Sequence, residues 1–315
     1  MPSGQLTERH PFMSLLQLLL LVLGGTLLFT CLAFVIGIMI YGFEGMVKFQ
    51  ESLNGSSSEG LGFLKLVQIA STIGTFIVPA FIFAKFQGGI ASYLHLNKRV
   101  SWILVLVSIG LMFSSGYLIE WTISINKQMH LPEFLKGVES WMQDQEDQLA
   151  RLTKQLLIME NTNDLMINLL MIAILPAIGE ELIFRGCFQN IFTRWTSSYH
   201  WGIWLAAILF SAIHMQFYGF IPRMLLGALF GYMLVWGRSM RLPIIAHLVN
   251  NGGAVITAYM IQLKGQSLDN FEKVEAATWP VYLVSIMITV TLLAYMYYNW
   301  SSTLKNNHPE EELVV

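Results

Sequence analysis

The residues in this chain best suited to chemistry stand where a bilayer would make them costly. Glu180 and Glu181 lie side by side in Gly179-Glu180-Glu181-Leu182-Ile183-Phe184-Arg185-Gly186, inside a long apolar run. A charged side chain at the centre of a membrane costs about 2.5–3.5 kcal/mol on insertion scales. Two adjacent carboxylates there need partners or a task. On a helix, Glu181 and Arg185 form an i,i+4 pair with the acid first, the favourable order. Glu180 is rotated about 100° from Glu181 and has no such local partner. One carboxylate is thus neutralised by its own arginine, and the other can face a polar cavity as a general base. Two more polar patterns follow on separate apolar runs. Phe210 and His214 share one helix face, and so do His247 and Asn251. A carboxylate, two imidazoles and an amide can hold a water, donate to a developing oxyanion and protonate a leaving amine.

Each pattern alone has a plainer reading. A single intramembrane histidine such as His214 is often an interhelical hydrogen-bonder, and Asn250 beside Asn251 can be glue between helices. Gly227 and Gly231 form a G-x-x-x-G that reads as a close-packing face. Arg223 and Arg241 read as interfacial anchors, and Glu120 beside Trp121 as a span-end residue.

The elements that must position these groups are membrane spans. Only 12% of the 315 residues are charged and mean hydropathy is +0.57, against a charged fraction of about 25% in soluble domains. The charges collect between long apolar runs. Net charge is −2 with no basic stripe, so a nucleic-acid partner is not expected. Cys31 and Cys187 both sit in apolar runs with no disulfide or zinc-knuckle spacing, and read as small buried hydrophobes. Runs near the ~20 residues needed to cross hydrocarbon give about eight spans: 13–41, 63–83, 102–121, 165–192, 201–217, 221–236, 243–261 and 281–298. The first follows Arg9 and His10, is too long for a signal-peptide core and reads as retained. The expected fold is therefore all-α, a polytopic transmembrane bundle forming a single membrane domain over 1–315. Between spans three and four, apolar residues from Leu131 to Leu156 recur at helical spacing among acidic ones. They predict an amphipathic helix on the membrane surface.

Basic connections carrying Lys98 and Arg99, Arg194, and Arg238 and Arg241 alternate with acidic ones at Glu44–Glu59 and Asp269–Glu275. The positive-inside rule then places both termini in the cytoplasm; Glu310, Glu311 and Glu312 do not oppose this, since the rule concerns Lys and Arg. Depth is less orderly. At 1.5 Å per residue, His214 lies about 20 Å from the start of the fifth span and His247 only about 9 Å from Arg241. A shared site requires that a helix tilts, starts deeper or re-enters.

Taken in order, Glu-Glu-x-x-Phe-Arg at 180–185, Phe-x-x-x-His at 210–214 and His-x-x-x-Asn at 247–251 resemble the three-motif signature of the CPBP family. That family comprises CAAX proteases and bacteriocin-processing enzymes, also called the Abi family of intramembrane proteases. The run from Arg223 to Tyr232, leading to Ala246 and His247, is similar to the family's connection between its second and third motifs. The resemblance covers about 165–254 and implies a catalytic core there. It implies an endopeptidase in a bacterial cytoplasmic membrane acting on a peptide or protein substrate, by C-terminal processing of prenylated proteins or by leader-peptide cleavage. On it, Glu180 activates water, His214 helps position the water, and His247 and Asn251 form the oxyanion hole. Glu181, Arg185, Phe184 and Phe210 support them, and no cofactor is expected.

Two other readings compete. Glu180, His214 and His247 with a water would be an allowed zinc set for a metalloprotease, although H-E-x-x-H is absent. A non-enzymatic immunity or scaffold protein, or a transporter with a proton-relay glutamate, could carry the same polar residues. Against the transporter, no paired repeats with broken helices are evident.

Overall fold

A computed structural model of the chain describes residues 10–53, 59–268 and 277–307. Arg9, the Asp269–Glu275 connection and Glu310–Glu312 lie outside the described residues. The described chain is helical, and seven of its helices are long and apolar enough to cross a membrane: α1 (Pro11–Leu53), α2 (Leu61–Phe86), α3 (Trp102–Asn126), α5 (Thr162–Thr196), α7 (Phe220–Gly237), α8 (Arg241–Leu263) and α9 (Trp279–Asn307). The apolar helix α6 (Tyr199–Ala212) has 14 residues, about 21 Å at 1.5 Å per residue, shorter than the ~30 Å hydrocarbon core. The amphipathic segment forms α4 (Lys136–Leu156), preceded by a 3₁₀ turn at Glu133–Leu135.

The bundle differs from uniform α-helical spans in ways that bear on the site. Helix α1 outruns its apolar stretch and breaks at Gly42, whose φ of 69° is left-handed. Beyond the break, Lys48 bridges Glu44 and Glu59 at 2.9 Å each. Helix α2 widens to a π-helical turn at Ile73–Ile77, and α5 does so twice, at Leu169–Ile174 and Glu181–Phe188. The first two π turns run into Pro79 and Pro176. Neither proline can donate to the ladder, so the preceding carbonyls lose a partner. No proline follows the third, but Asn190 Nδ2 donates to the Gly186 carbonyl at 2.7 Å within it.

Packing around α5 is close. Ala80, Phe83 and Ala84 of α2 join Leu182, Ile183, Phe184, Cys187 and Phe188 in the largest buried apolar cluster. Cys187 is buried as expected; Cys31 is exposed on α1, so only one cysteine packs as a buried hydrophobe. At the far side of the bundle, Ser285 Oγ donates to the Ser114 carbonyl and Thr289 pairs with Ser114 Oγ at 3.0 Å, fastening α9 onto α3.

Candidate functional site

The geometry is built outward from the π turn of α5. Arg185 is 1% exposed. Its Nη1 donates to Glu181 Oε1 at 2.9 Å and its Nη2 to the Gly227 carbonyl at 3.0 Å. Its guanidinium carbon lies 4.5 Å from the centre of the Phe210 ring and 5.3 Å from that of Phe230. Hydrogen bonds in the plane of the guanidinium and aromatic faces against it are how such a cation survives out of water. Gly227 favours this approach, since a Cβ there would lie 3.2 Å from Arg185 Nη2 and make the guanidinium give by a few tenths of an ångström. Phe184 meets Phe210 edge to face at 5.2 Å, so each supporting aromatic fixes the other.

Glu181, fully buried, has a second partner that local spacing does not reveal. Its Oε1 also lies 2.8 Å from His247 Nδ1. A carboxylate accepts, so Nδ1 carries the proton and Nε2 is the nitrogen turned away from Glu181. That Nε2 is 3.9 Å from Glu180 Oε2 and 3.1 Å from Asn251 Nδ2. Phe230 stacks on the imidazole at 5.2 Å. Asn251 Nδ2 is itself held by the Ile172 carbonyl at 3.1 Å, within the first π turn of α5, and Asn250 Nδ2 donates to Asn251 Oδ1 at 3.0 Å. Glu180 is 13% exposed where Glu181 is 0%, and no ion pair takes it up with an arginine.

His214 lies past the end of α6, not within a span that reaches Phe217. It sits in the connection to α7, with Nδ1 donating to the Phe210 carbonyl at 2.7 Å. Burial, then the nearby Arg223 guanidinium, pull its pKa down to about 4, so the ring is neutral at pH 7 with Nε2 as acceptor. Phe210 links the two histidines, with ring centres 5.0 Å from His214 and 6.3 Å from His247.

The depth difficulty is resolved by where α8 starts. The turn before it is buried at Ser239 and Met240, and Met240 N donates to the His95 carbonyl at 3.3 Å. A Cβ on Gly186 would meet Leu94 Cδ2 at 2.6 Å and Met240 Cε at 3.2 Å. Met240 is therefore level with Gly186, about 15 Å along α5 from Thr196. The chain at 90–96, including the one-turn helix Ile90–Tyr93, covers this deep start. His247, about 9 Å further along α8, then reaches the height of Glu180.

Arg223 is not an interfacial anchor, as its position near a span end implies. It is half-buried, one turn before Gly227 on α7, and within electrostatic reach of Glu180 and His214. Its Nη2 donates to Gln216 Oε1. The local sequence carries no signal for this placement, because an arginine near a span end looks the same in either role. Arg241, by contrast, is exposed. Gly231, like Gly227, is a close-packing glycine: a methyl group there would stand 2.8 Å from both Gln189 Oε1 and Ile203 Cγ2. Among the described residues no three of His, Cys, Asp and Glu come together as a metal-ligand group, so Glu180, His214 and His247 are not gathered as one here.

Comparison with known proteins identifies the segment that holds all these groups. Residues 162–253 match the family described as type II CAAX prenyl endopeptidase Rce1-like. The "Uncharacterized protein YpbD" of Bacillus subtilis (strain 168) is 28% identical over 86 residues, 26% of this chain and 41% of that protein. The alignment thus spans about two fifths of the relative's length. No solved structure matches the chain. Over residues 162–253, the stretch bearing Glu180, His214, His247 and Asn251, the chain is similar to the Rce1-like CAAX endopeptidases, in keeping with the CPBP resemblance of its three motifs.

Proposed function

We propose that this chain is an intramembrane endopeptidase in which Glu180 activates the attacking water. The observation that carries the reading is the His247 environment. One imidazole joins the buried Glu181–Arg185 pair through Nδ1 and presents Nε2 to Glu180 and Asn251. In the proposed reaction Glu180 takes a proton from water as its oxygen attacks the scissile carbonyl. The O–H bond breaks and a C–O bond forms. The oxyanion is held by Asn251 Nδ2 and by the Nε2–H of His247 in its imidazolium form, whose Nδ1–H stays on Glu181. Neutral His214 accepts a hydrogen bond from the water through Nε2 and aims it. On collapse the C–N bond breaks and Glu180 returns its proton to the leaving amine. Phe184 and Phe210 keep Arg185 in place beneath the reacting groups.

The family match supports a membrane-associated peptide or protein as substrate; processing near a prenylated C-terminus or at a leader sequence is the proposed class. The distribution of Lys and Arg supports a bacterial cytoplasmic membrane with both termini in the cytoplasm. The chemistry is tested with purified protein and a labelled apolar peptide, with and without a strong chelator. Wild-type cleavage that survives chelation and is lost in Glu180→Gln supports the glutamate mechanism. Loss on chelation with recovery on zinc addition would replace it with a metallopeptidase. Full complementation of a deletion strain by Glu180→Gln would return the chain to a non-enzymatic scaffold or immunity role.

A further inference from the structure

Arg223 has no use in the reaction as proposed, yet its setting is that of a binding residue. Its Nη2 is bound to Gln216 Oε1, while Nη1 is out of contact with solvent and has no hydrogen-bond partner. The guanidinium lies against Gly219, where a Cβ would stand 3.3 Å from Nη1 and Nη2. The side chain is therefore pressed to the inner wall of the connection that carries His214. It lies within electrostatic reach of Glu180 and of Glu146 on α4 but makes an ion pair with neither. Glu146 is instead turned to Tyr218, whose N–H donates to its Oε2 at 2.9 Å. A desolvated guanidinium with an unmade bond is costly, and the anion that best completes its planar fork is a carboxylate.

We infer that Arg223, oriented by Gln216, binds a carboxylate of the peptide substrate beside the scissile bond. The inference rests on the proteolytic reading. The carboxylate comes from the peptide's own C-terminus or from an Asp or Glu side chain. The geometry recognises the group, and the choice of peptide distinguishes its source. Glu180 lies within electrostatic reach of Arg223, so the contact bears on where the cleaved bond stands relative to that carboxyl. It also draws a negatively charged peptide towards a site whose base is a glutamate.

Binding is measured on the full chain carrying Glu180→Gln, in nanodiscs, by fluorescence polarisation of three labelled peptides of one apolar sequence. The first has a free C-terminal carboxylate and no acidic side chain. The second is its C-terminal amide. The third is the amide with one glutamate. The expected result is that the first or the third binds at least about tenfold more tightly than the second, and which of the two does so names the source. Adding Arg223→Gln removes the advantage, and adding Arg223→Lys, which keeps the charge without the fork, retains part of it. Unchanged melting temperatures show that the variants are folded. Equal binding of all three peptides, no binding of any, or an advantage that persists in Arg223→Gln overturns the inference. Cleavage of the same peptides by the wild type reads the proteolytic proposal separately. Cleavage without carboxylate preference leaves the protease and removes the subsite. Preferential binding without cleavage does the reverse.

Discussion

Two neighbouring glutamates divide the work at the residue scale, and the division is set by partners. Glu181 Oε1 accepts from both Arg185 and His247 and is sealed from solvent, whereas Glu180 keeps 13% of its side chain exposed and is tied to neither arginine. Removing one member of a buried ion pair leaves the other charge without compensation, at a cost of about 3–5 kcal/mol. Glu181→Gln is therefore expected to lower the melting temperature in detergent sharply and to lose turnover with it. Glu180→Gln is expected to cost under about 1 kcal/mol of stability while abolishing turnover. Thermal denaturation followed beside peptide cleavage checks both, and equal stability losses in the two variants would contradict the division. The Glu181–Arg185 pair is legible in the sequence because one helical turn joins its members. The bond from Glu181 to His247 is not, since it joins residues 66 apart in sequence and depends on how α8 docks on α5. The role of Arg223 is hidden for the same reason: its surroundings come from the 214–219 connection and α5, not from its own neighbours in the chain.

At the scale of the elements, the apolar runs locate the spans well, because a bilayer demands ~20 apolar residues from any crossing helix. What the runs leave out is departure from regular winding. The π turn at Ile73–Ile77 is followed by Pro79, a visible signal, yet its consequence is tertiary: it brings Gly74 against α1. A Cβ on Gly25 would run into the Gly74 carbonyl oxygen, and one on Gly74 into Phe29 Cβ, both well inside 3.0 Å. Neither clash can be relieved by turning a flexible side chain. Gly25→Ala must therefore push α1 from α2, with an expected loss of about 1–3 kcal/mol. At Gly24, where a Cβ meets nothing within 4 Å, Gly24→Ala should leave stability unchanged or slightly raised. A melting comparison of the two variants reads the crossing directly. The same dependence on neighbours explains the depth mismatch. The deep start of α8 goes with the packing of residues 93–96 on Met240, and nothing in the α8 sequence announces that cover.

The whole molecule has two unlike ends, and their assignment to the two sides of the membrane can be tested by chemistry. One end carries Lys98, Arg99, Arg194 and Arg238; the other carries α4 and the His214 connection, joined where Tyr218 N donates to Glu146 and Asn126 holds Phe217 and Ile221. If the basic end is cytoplasmic, as the Lys and Arg distribution predicts, α4 and the His214 connection lie on the far side. Cysteine labelling separates the two orientations cleanly, because the chain has only Cys31 and Cys187 and the latter is buried. With Cys31→Ser as background, Asp144→Cys on the exposed face of α4 should react with an impermeant maleimide in intact cells. Arg238→Cys, exposed in the turn after α7, should react only after permeabilisation. The opposite pattern would place α4 and the His214 connection towards the cytoplasm and, on the proteolytic reading, restrict substrates to proteins made and retained there. The expected pattern instead restricts them to segments that reach the outer face, so the labelling result selects which peptides are worth offering to the site.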